Sequence, residues 1–189
     1  LRDSFGVHFG KVDNREFLGS TDRRMFEVLR ERHSLAPDVE ELITRRKAIY
    51  LEIVENQGLP WREGIRDLIP HLAGEGYRLA VASSGLRRIV EHTLRTGDLL
   101  SHFEAVVTGD DVRTPKPSPE IYLEASRRLG LPPSSCIAIE DTDVGVRAAK
   151  AAGMRAIAFP TATTAGMDFG VADWVVGHTR EIRELLNVN

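Results

Sequence analysis

Residues 137–153 read IAIEDTDVGVRAAKAAG. Ile137, Ala138 and Ile139 form a short apolar run, the pattern of a strand buried on both faces, and it stops at two adjacent carboxylates, Glu140 and Asp141. The spacing predicts a helix behind them, capped by Asp143, carried by Val144, Ala148, Ala149 and Ala152, and closed by Gly153. Strand, acidic turn and small-residue helix make half of a parallel α/β unit. In open parallel sheets ligands gather beyond the carboxyl ends of the strands, where Glu140 and Asp141 fall. Hard oxygen ligands side by side at such an edge suit Mg²⁺. A solvated acidic turn capping a helix reads the same way in isolation, so the other strand ends have to decide.

Upstream the rhythm is regular. Ile65, Leu68, Ile69 and Leu72 predict a helix ended near Gly74 and Gly76, and Leu79 to Ala82 a strand running into Ser83-Ser84-Gly85. A helix through Leu86, Ile89, Val90 and Leu94 follows, then a strand from Ala105 to Thr108 and a helix from Ile121 to Leu129. Downstream, Ala156 to Phe159 and Trp174 to Val176 supply two more strands, and Ile182 to Leu186 a last helix. Strands alternating with helices of this length imply an α/β core: a Rossmann-like parallel sheet with helices on both faces. The first part of the chain differs. Met25, Phe26 and Leu29 mark one helix after a Thr21 or Asp22 cap, and Val39, Leu42, Ile43, Tyr50, Ile53 and Val54 a longer one beginning near Pro37. The helical pattern breaks at Gln57-Gly58-Leu59-Pro60, which sets two expected domains, a small α-helical one over 1–60 and the core over 61–189.

Composition narrows the function classes. With 42% hydrophobic and 28% charged residues in 189, the chain can bury one core plus an accessory unit. Twenty-five basic against 28 acidic residues, with no long run of one sign, do not suggest a nucleic-acid partner. No apolar run approaches the roughly 18 residues that span a bilayer, and the opening LRDSFG does not read as a signal peptide. The single cysteine, Cys136, cannot make a disulfide within the chain, so a reducing, cytoplasmic setting is the expectation.

Two further constellations sit at strand ends. Ser83-Ser84-Gly85 lies directly before a predicted helix, so a hydroxyl and backbone N–H groups face one point and the helix dipole favours an anion: a phosphate cradle, though most such tripeptides are plain capping turns. In Thr114-Pro115-Lys116-Pro117-Ser118-Pro119, the prolines stiffen the loop and Pro117 favours an extended Lys116, whose ammonium could offset phosphate charge or bind a carboxylate. Ser118 and Pro119 read as the cap and first residue of the next helix.

Serine at one strand end, lysine before a capped helix and Glu-Asp at the next strand end together resemble the haloacid dehalogenase superfamily of phosphotransferases. The resemblance is to the subgroup with a helical cap that includes β-phosphoglucomutase, phosphoglycolate phosphatase and sugar-phosphate phosphatases. It makes Ser83 the second motif, Lys116 the third, and Glu140 and Asp141 the fourth, and residues 1–60 the cap. It implies Ser83 and Lys116 as catalytic groups, Ser83, Ser84, Gly85 and Lys116 around phosphate, and Asp141 with help from Glu140 on Mg²⁺. A small phosphorylated metabolite is the implied partner. Substrate choice is expected from the cap, with Arg23, Arg24, Arg46 and Lys47 as candidates, while oligomeric state is not legible.

One departure matters. Such proteins are expected to open with an apolar strand ending in a DxDG motif, whose first Asp attacks phosphorus and whose second handles the proton. Asp3 in LRDSFG and Asp13 in GKVDNREF neither follow an apolar run nor precede the expected glycine. The resemblance therefore implies a core lacking its first, central strand, with roughly two dozen residues of family layout absent. Two expectations follow. Either a phosphatase or phosphomutase keeps its nucleophilic Asp upstream of residue 1, and these 189 residues are inactive alone, or the chain is a catalytically dead phosphate-binding or regulatory module. A central strand makes about ten ladder hydrogen bonds at roughly 1 kcal/mol net each, comparable with a domain's whole stability, which favours the first.

Overall fold

The computed structural model describes residue 17 and residues 21–188. The chain divides into two compact units between Gln57 and Gly58. In the first, α1 (Asp22–His33) packs on α2 (Val39–Gln57). Thr21 caps α1, its Oγ1 accepting from Arg24 N at 3.2 Å, and Asp38 Oδ1 accepts from Glu41 N at 2.8 Å at the start of α2. Phe26, Leu29, Leu35, Leu42 and Ile43 close the core between them. Arg23 pairs with Glu40, and Arg46 with Asp22 at 2.7 Å, so two of the four candidate specificity residues tie the hairpin together. Arg24 and Lys47 are exposed.

The second unit runs α3 (Ile65–Gly74), β1 (Ala80–Ser83), α4 (Arg87–Thr96), β2 (Ala105–Thr108), α5 (Glu120–Leu129), β3 (Ile137–Glu140), α6 (Asp143–Ala151), β4 (Arg155–Ala158), β5 (Trp174–Val175) and α7 (Thr179–Leu186). Every pairing is parallel. β1 lies beside β2 with Ala80 opposite Ala105 and Ser83 opposite Thr108, while β4 lies between β3 and β5 with Glu140 opposite Ala158. Among the described residues these are two separate sheets, β1-β2 and β3-β4-β5, so β1 and β3 each pair on one side only.

Strand alternation sorts the core into two layers. On β4, Ala156 and Ala158 enter one apolar cluster with Tyr122 and Ala125 of α5 and Val146 of α6, whereas Ile157 and Phe159 enter another with Leu68 and Leu72 of α3 and Ile182 of α7. Helices thus cover both faces of a parallel sheet, as the α/β reading requires. Ala148 and Ala149 are completely buried, and their small size lets α6 lie close on β3 and β4. That is why the stretch after the acidic pair is rich in alanine.

Two helix starts differ from the sequence reading. Thr142, not Asp143, caps α6: its backbone is still extended and its Oγ1 accepts from Gly145 N at 3.2 Å. Asp143 is instead the first helical residue and bridges to Arg147 at 2.7 Å, one turn on. At α5 the helix begins at Glu120 behind Pro119, and Ser118 Oγ accepts from Glu120 N at 3.4 Å. Among the described residues no helix is long and apolar enough to cross a membrane.

Candidate active site

The ends of β1 and β3 are joined by a lysine from the loop between β2 and α5. Lys116 Nζ donates to Ala82 O, one residue before Ser83, at 3.1 Å, and to Oε1 of Glu140, the last residue of β3. Only 10% of the lysine side chain and 8% of the glutamate side chain are exposed. A dry ion pair offsets its desolvation cost only when further hydrogen bonds complete it. Here they do. Tyr122, in the first turn of α5, donates its hydroxyl to the same Oε1, and its ring lies 4.9 Å from the ammonium. Burial, then the charge of Glu140, pushes the Tyr122 phenol far above its ordinary value, so it remains a donor. Glu140 Oε2 accepts from Thr142 Oγ1 at 3.3 Å. A Cβ on Gly145 would collide with the Glu140 carboxylate, which explains the glycine in the first turn of α6.

Asp141 follows directly and is exposed. Its carboxyl is nevertheless raised above the usual range, first because surrounding protein desolvates it and then because Glu140 repels it; Lys116 and Arg62 pull the other way. It makes no ion pair among the described residues. A carboxylate held unfavourably beside another suits a hard dication, so this oxygen-only pair fits Mg²⁺. No group of three His, Cys, Asp or Glu among the described residues could hold a metal. Glu140 and Asp141 would therefore supply part of a shell of about six oxygens.

The serine turn is tighter than the sequence suggested. Ser83 Oγ accepts from Gly85 N at 3.1 Å, which leaves its hydroxyl hydrogen to donate. Gly109 N, just past β2, donates to Gly85 O at 3.2 Å, and a Cβ on Gly109 would stand 2.7 Å from Ser84 O. The strand ends are thus knitted by close backbone contact. The helix does not start directly after Gly85, since Leu86 intervenes, and Arg87 N at its first position donates to Asp110 Oδ2 at 2.8 Å. One of the N–H groups expected to face an anion is already occupied by a carboxylate. Ser83 and Lys116 are brought to neighbouring places at the end of β1; Ser84 is exposed beside them. Asp3 and Asp13 lie outside the described residues.

Two residues here escaped the sequence reading. Tyr122 falls at an apolar helix position, where nothing distinguishes a working hydroxyl from a core ring. Arg62 donates to Phe159 O at 2.5 Å and Gly177 O at 3.1 Å and lies 3.2 Å from the centre of the Phe159 ring. It ties together the chain beyond β4 and β5, and its charge reaches Asp141. A lone arginine in a loop carries no sequence signal for this.

Known proteins agree with the architecture. The family model for haloacid dehalogenase-like hydrolases matches residues 3–159. Protein CbbY of Rhodobacter capsulatus is 33% identical over 177 residues, covering 88% of this chain and 77% of its own. The phosphorylated carbohydrates phosphatase of Thermotoga maritima is 30% identical over 161 residues, covering 83% and 72%. Among solved structures, CbbY from Rhodobacter sphaeroides in complex with phosphate superposes with a TM-score of 0.81 at 30% identity, over 96% of this chain and 84% of that one. With the match spanning both the serine and the Glu-Asp strand ends, the chain belongs to the haloacid dehalogenase-like hydrolase family.

Proposed function

We propose that the complete protein is a Mg²⁺-dependent phosphatase or phosphomutase acting on small phosphorylated metabolites, sugar phosphates among them, through an aspartyl-phosphate intermediate. The observation that carries this is Lys116, held dry between Ala82 O and Glu140 at the strand ends, beside Asp141. A preorganised ammonium there offsets charge as a phosphoryl group is transferred. Ser83 donates its remaining hydroxyl hydrogen to a phosphoryl oxygen, with Ser84 and Gly85 completing the turn around it. Asp141, helped by Glu140, would hold the ion, which would supply positive charge to offset that of the phosphoryl group. The similarity to the phosphorylated carbohydrates phosphatase of Thermotoga maritima supports a phosphorylated-carbohydrate substrate.

None of Ser83, Lys116, Glu140 and Asp141 is placed as the attacking carboxylate. This reading takes the attacking aspartate from a further strand that would pair the open sides of β1 and β3, each of which pairs on one side only among the described residues. The test is phosphate release by the complete protein with Mg²⁺. Asp141→Ala should nearly abolish turnover and demand far more metal; undiminished release in a chelator would sink the reading. Residues 1–189 alone should release none.

A further inference from the structure

Among the polar groups that hold the Lys116–Glu140 pair, one touches both partners and comes from the core of α5. The Tyr122 hydroxyl donates to Glu140 Oε1, the oxygen that Lys116 also takes, and its own oxygen accepts from Lys116 Nζ at 3.4 Å. Its ring lies 4.9 Å below the same nitrogen. Tyr122 is 6% exposed, on a helix packed against both β1 and β2 and touching α6, so its position is set by the core rather than by the loop that carries Lys116. The lysine has four methylenes and three donors; Ala82 O and Glu140 hold two, and the third, on the Tyr122 oxygen at 3.4 Å, makes the longest bond and is the one a ligand would draw away. A flexible stem held only by Ala82 O and a loose carboxylate would share that donor among several orientations. Fixing the carboxylate fixes the donor.

We infer that Tyr122 is a positioning residue: its hydroxyl locks the Glu140 carboxylate, and through it aims the Lys116 ammonium at the transferring phosphoryl group. The catalytic part of this rests on the proposed phosphoryl transfer; the aiming of Lys116 does not. Tyr122→Phe keeps the ring, its volume and its face toward the ammonium, and removes only the oxygen. The chain has four lysines, Lys11, Lys47, Lys116 and Lys150, so the ammonium resonance of Lys116 is assignable by ¹⁵N NMR from a Lys116→Arg sample. Dry and hydrogen-bonded, it should give a slowly exchanging signal in the complete protein, and Tyr122→Phe should broaden or shift it while the other ammonium signals stay in place. With an aryl phosphate and Mg²⁺, kcat should fall about tenfold with KM within about twofold, the cost of loosening one charge-assisted hydrogen bond. A role confined to core stability would lower the unfolding midpoint and leave both the resonance and kcat alone, which overturns the inference. If the resonance moves but neither protein releases phosphate, the phosphoryl-transfer reading fails and the aiming of Lys116 stands.

Discussion

The second unit holds two clusters of charge that look alike as lists of partners and differ in almost every consequence. At the strand ends, Lys116, Glu140 and Tyr122 are dry, and among the described residues Glu140 has no ion-pair partner besides Lys116. On the outer side of β2, Asp111 collects Arg87 and Arg128, the Thr108 N–H at 2.7 Å and the Thr108 hydroxyl at 2.9 Å. Both arginines also reach Val106 O, and Arg128 and Arg127 share Glu124. Arg128 is 30% exposed and Arg127 72%. Asp111, Arg87, Arg128 and Glu124 each have a second partner, and Arg127 stands mostly in solvent. Exposed ion pairs are worth little singly, whereas a dry pair is costly to break because the survivor has nowhere to put its charge. Charge in the outer cluster fastens β2 to α4 and α5; at the strand ends it joins β1, β3 and α5 through one dry pair.

Removing one partner from each cluster should separate them. Glu140→Ala strands the Lys116 ammonium with Ala82 O and the neutral Tyr122, and should cost about 3 to 5 kcal/mol in denaturant unfolding. Lys116→Ala should in addition lower turnover of the complete protein a hundredfold or more, the usual price of a preorganised charge. A loss under about 1 kcal/mol for Glu140→Ala would place the pair in water and erase the contrast.

Asp111→Asn should cost less, about 1 kcal/mol, since Arg87 keeps Glu91 and Arg128 keeps Glu124. Burial opposes ionisation of Asp111, yet the bonds from Arg128 and from Thr108 outweigh it and hold the carboxyl well below the carboxylate range. Phosphate release should be unchanged. A loss equal to that of Glu140→Ala would mean the outer cluster is as brittle as the inner one.

The sequence made the two clusters unequally legible. Each core strand was readable from its apolar run, because burial on both faces demands Val, Ile and Ala in short blocks bounded by turns. Lys116, Glu140 and Asp141 were readable because each stands at a strand end or in a proline-braced loop, where a charge is conspicuous. What joins them was not: Tyr122 contributes through a hydroxyl at the tip of a core residue, and Gly145 through the absence of a side chain. Helix starts slipped by one residue at Thr142 and Pro119 because neighbouring Thr, Asp and Ser can all cap, and only backbone angles choose among them. Among the candidate specificity residues of α1 and α2, Arg23 and Arg46 reach across to Glu40 and Asp22, a pairing set by the hairpin and invisible along the chain.

The smallest expected effect is an acid one, and it tests whether the outer cluster is wet. Hydrogen bonds from Arg127 and then Arg128 hold the Glu124 carboxyl down at about 2, against an ordinary value of 4.5. A depressed folded pKa means that the contribution is fully present above the unfolded value, near 4.5, and is lost as pH falls through that value toward 2. Glu124→Gln should therefore flatten the stability curve between those limits and cost only a few tenths of a kcal/mol at neutral pH, because Arg127 stands largely in solvent and Arg128 keeps Asp111. At about 1 M salt, where screening acts over roughly 3 Å, wild type and variant should converge. Glu140→Ala should keep its full deficit at the same salt, since ions do not enter a dry pair. A Glu124 effect that survives high salt would show that the arginines exclude water as thoroughly as Tyr122 does, and solvent access would no longer be what distinguishes the two clusters.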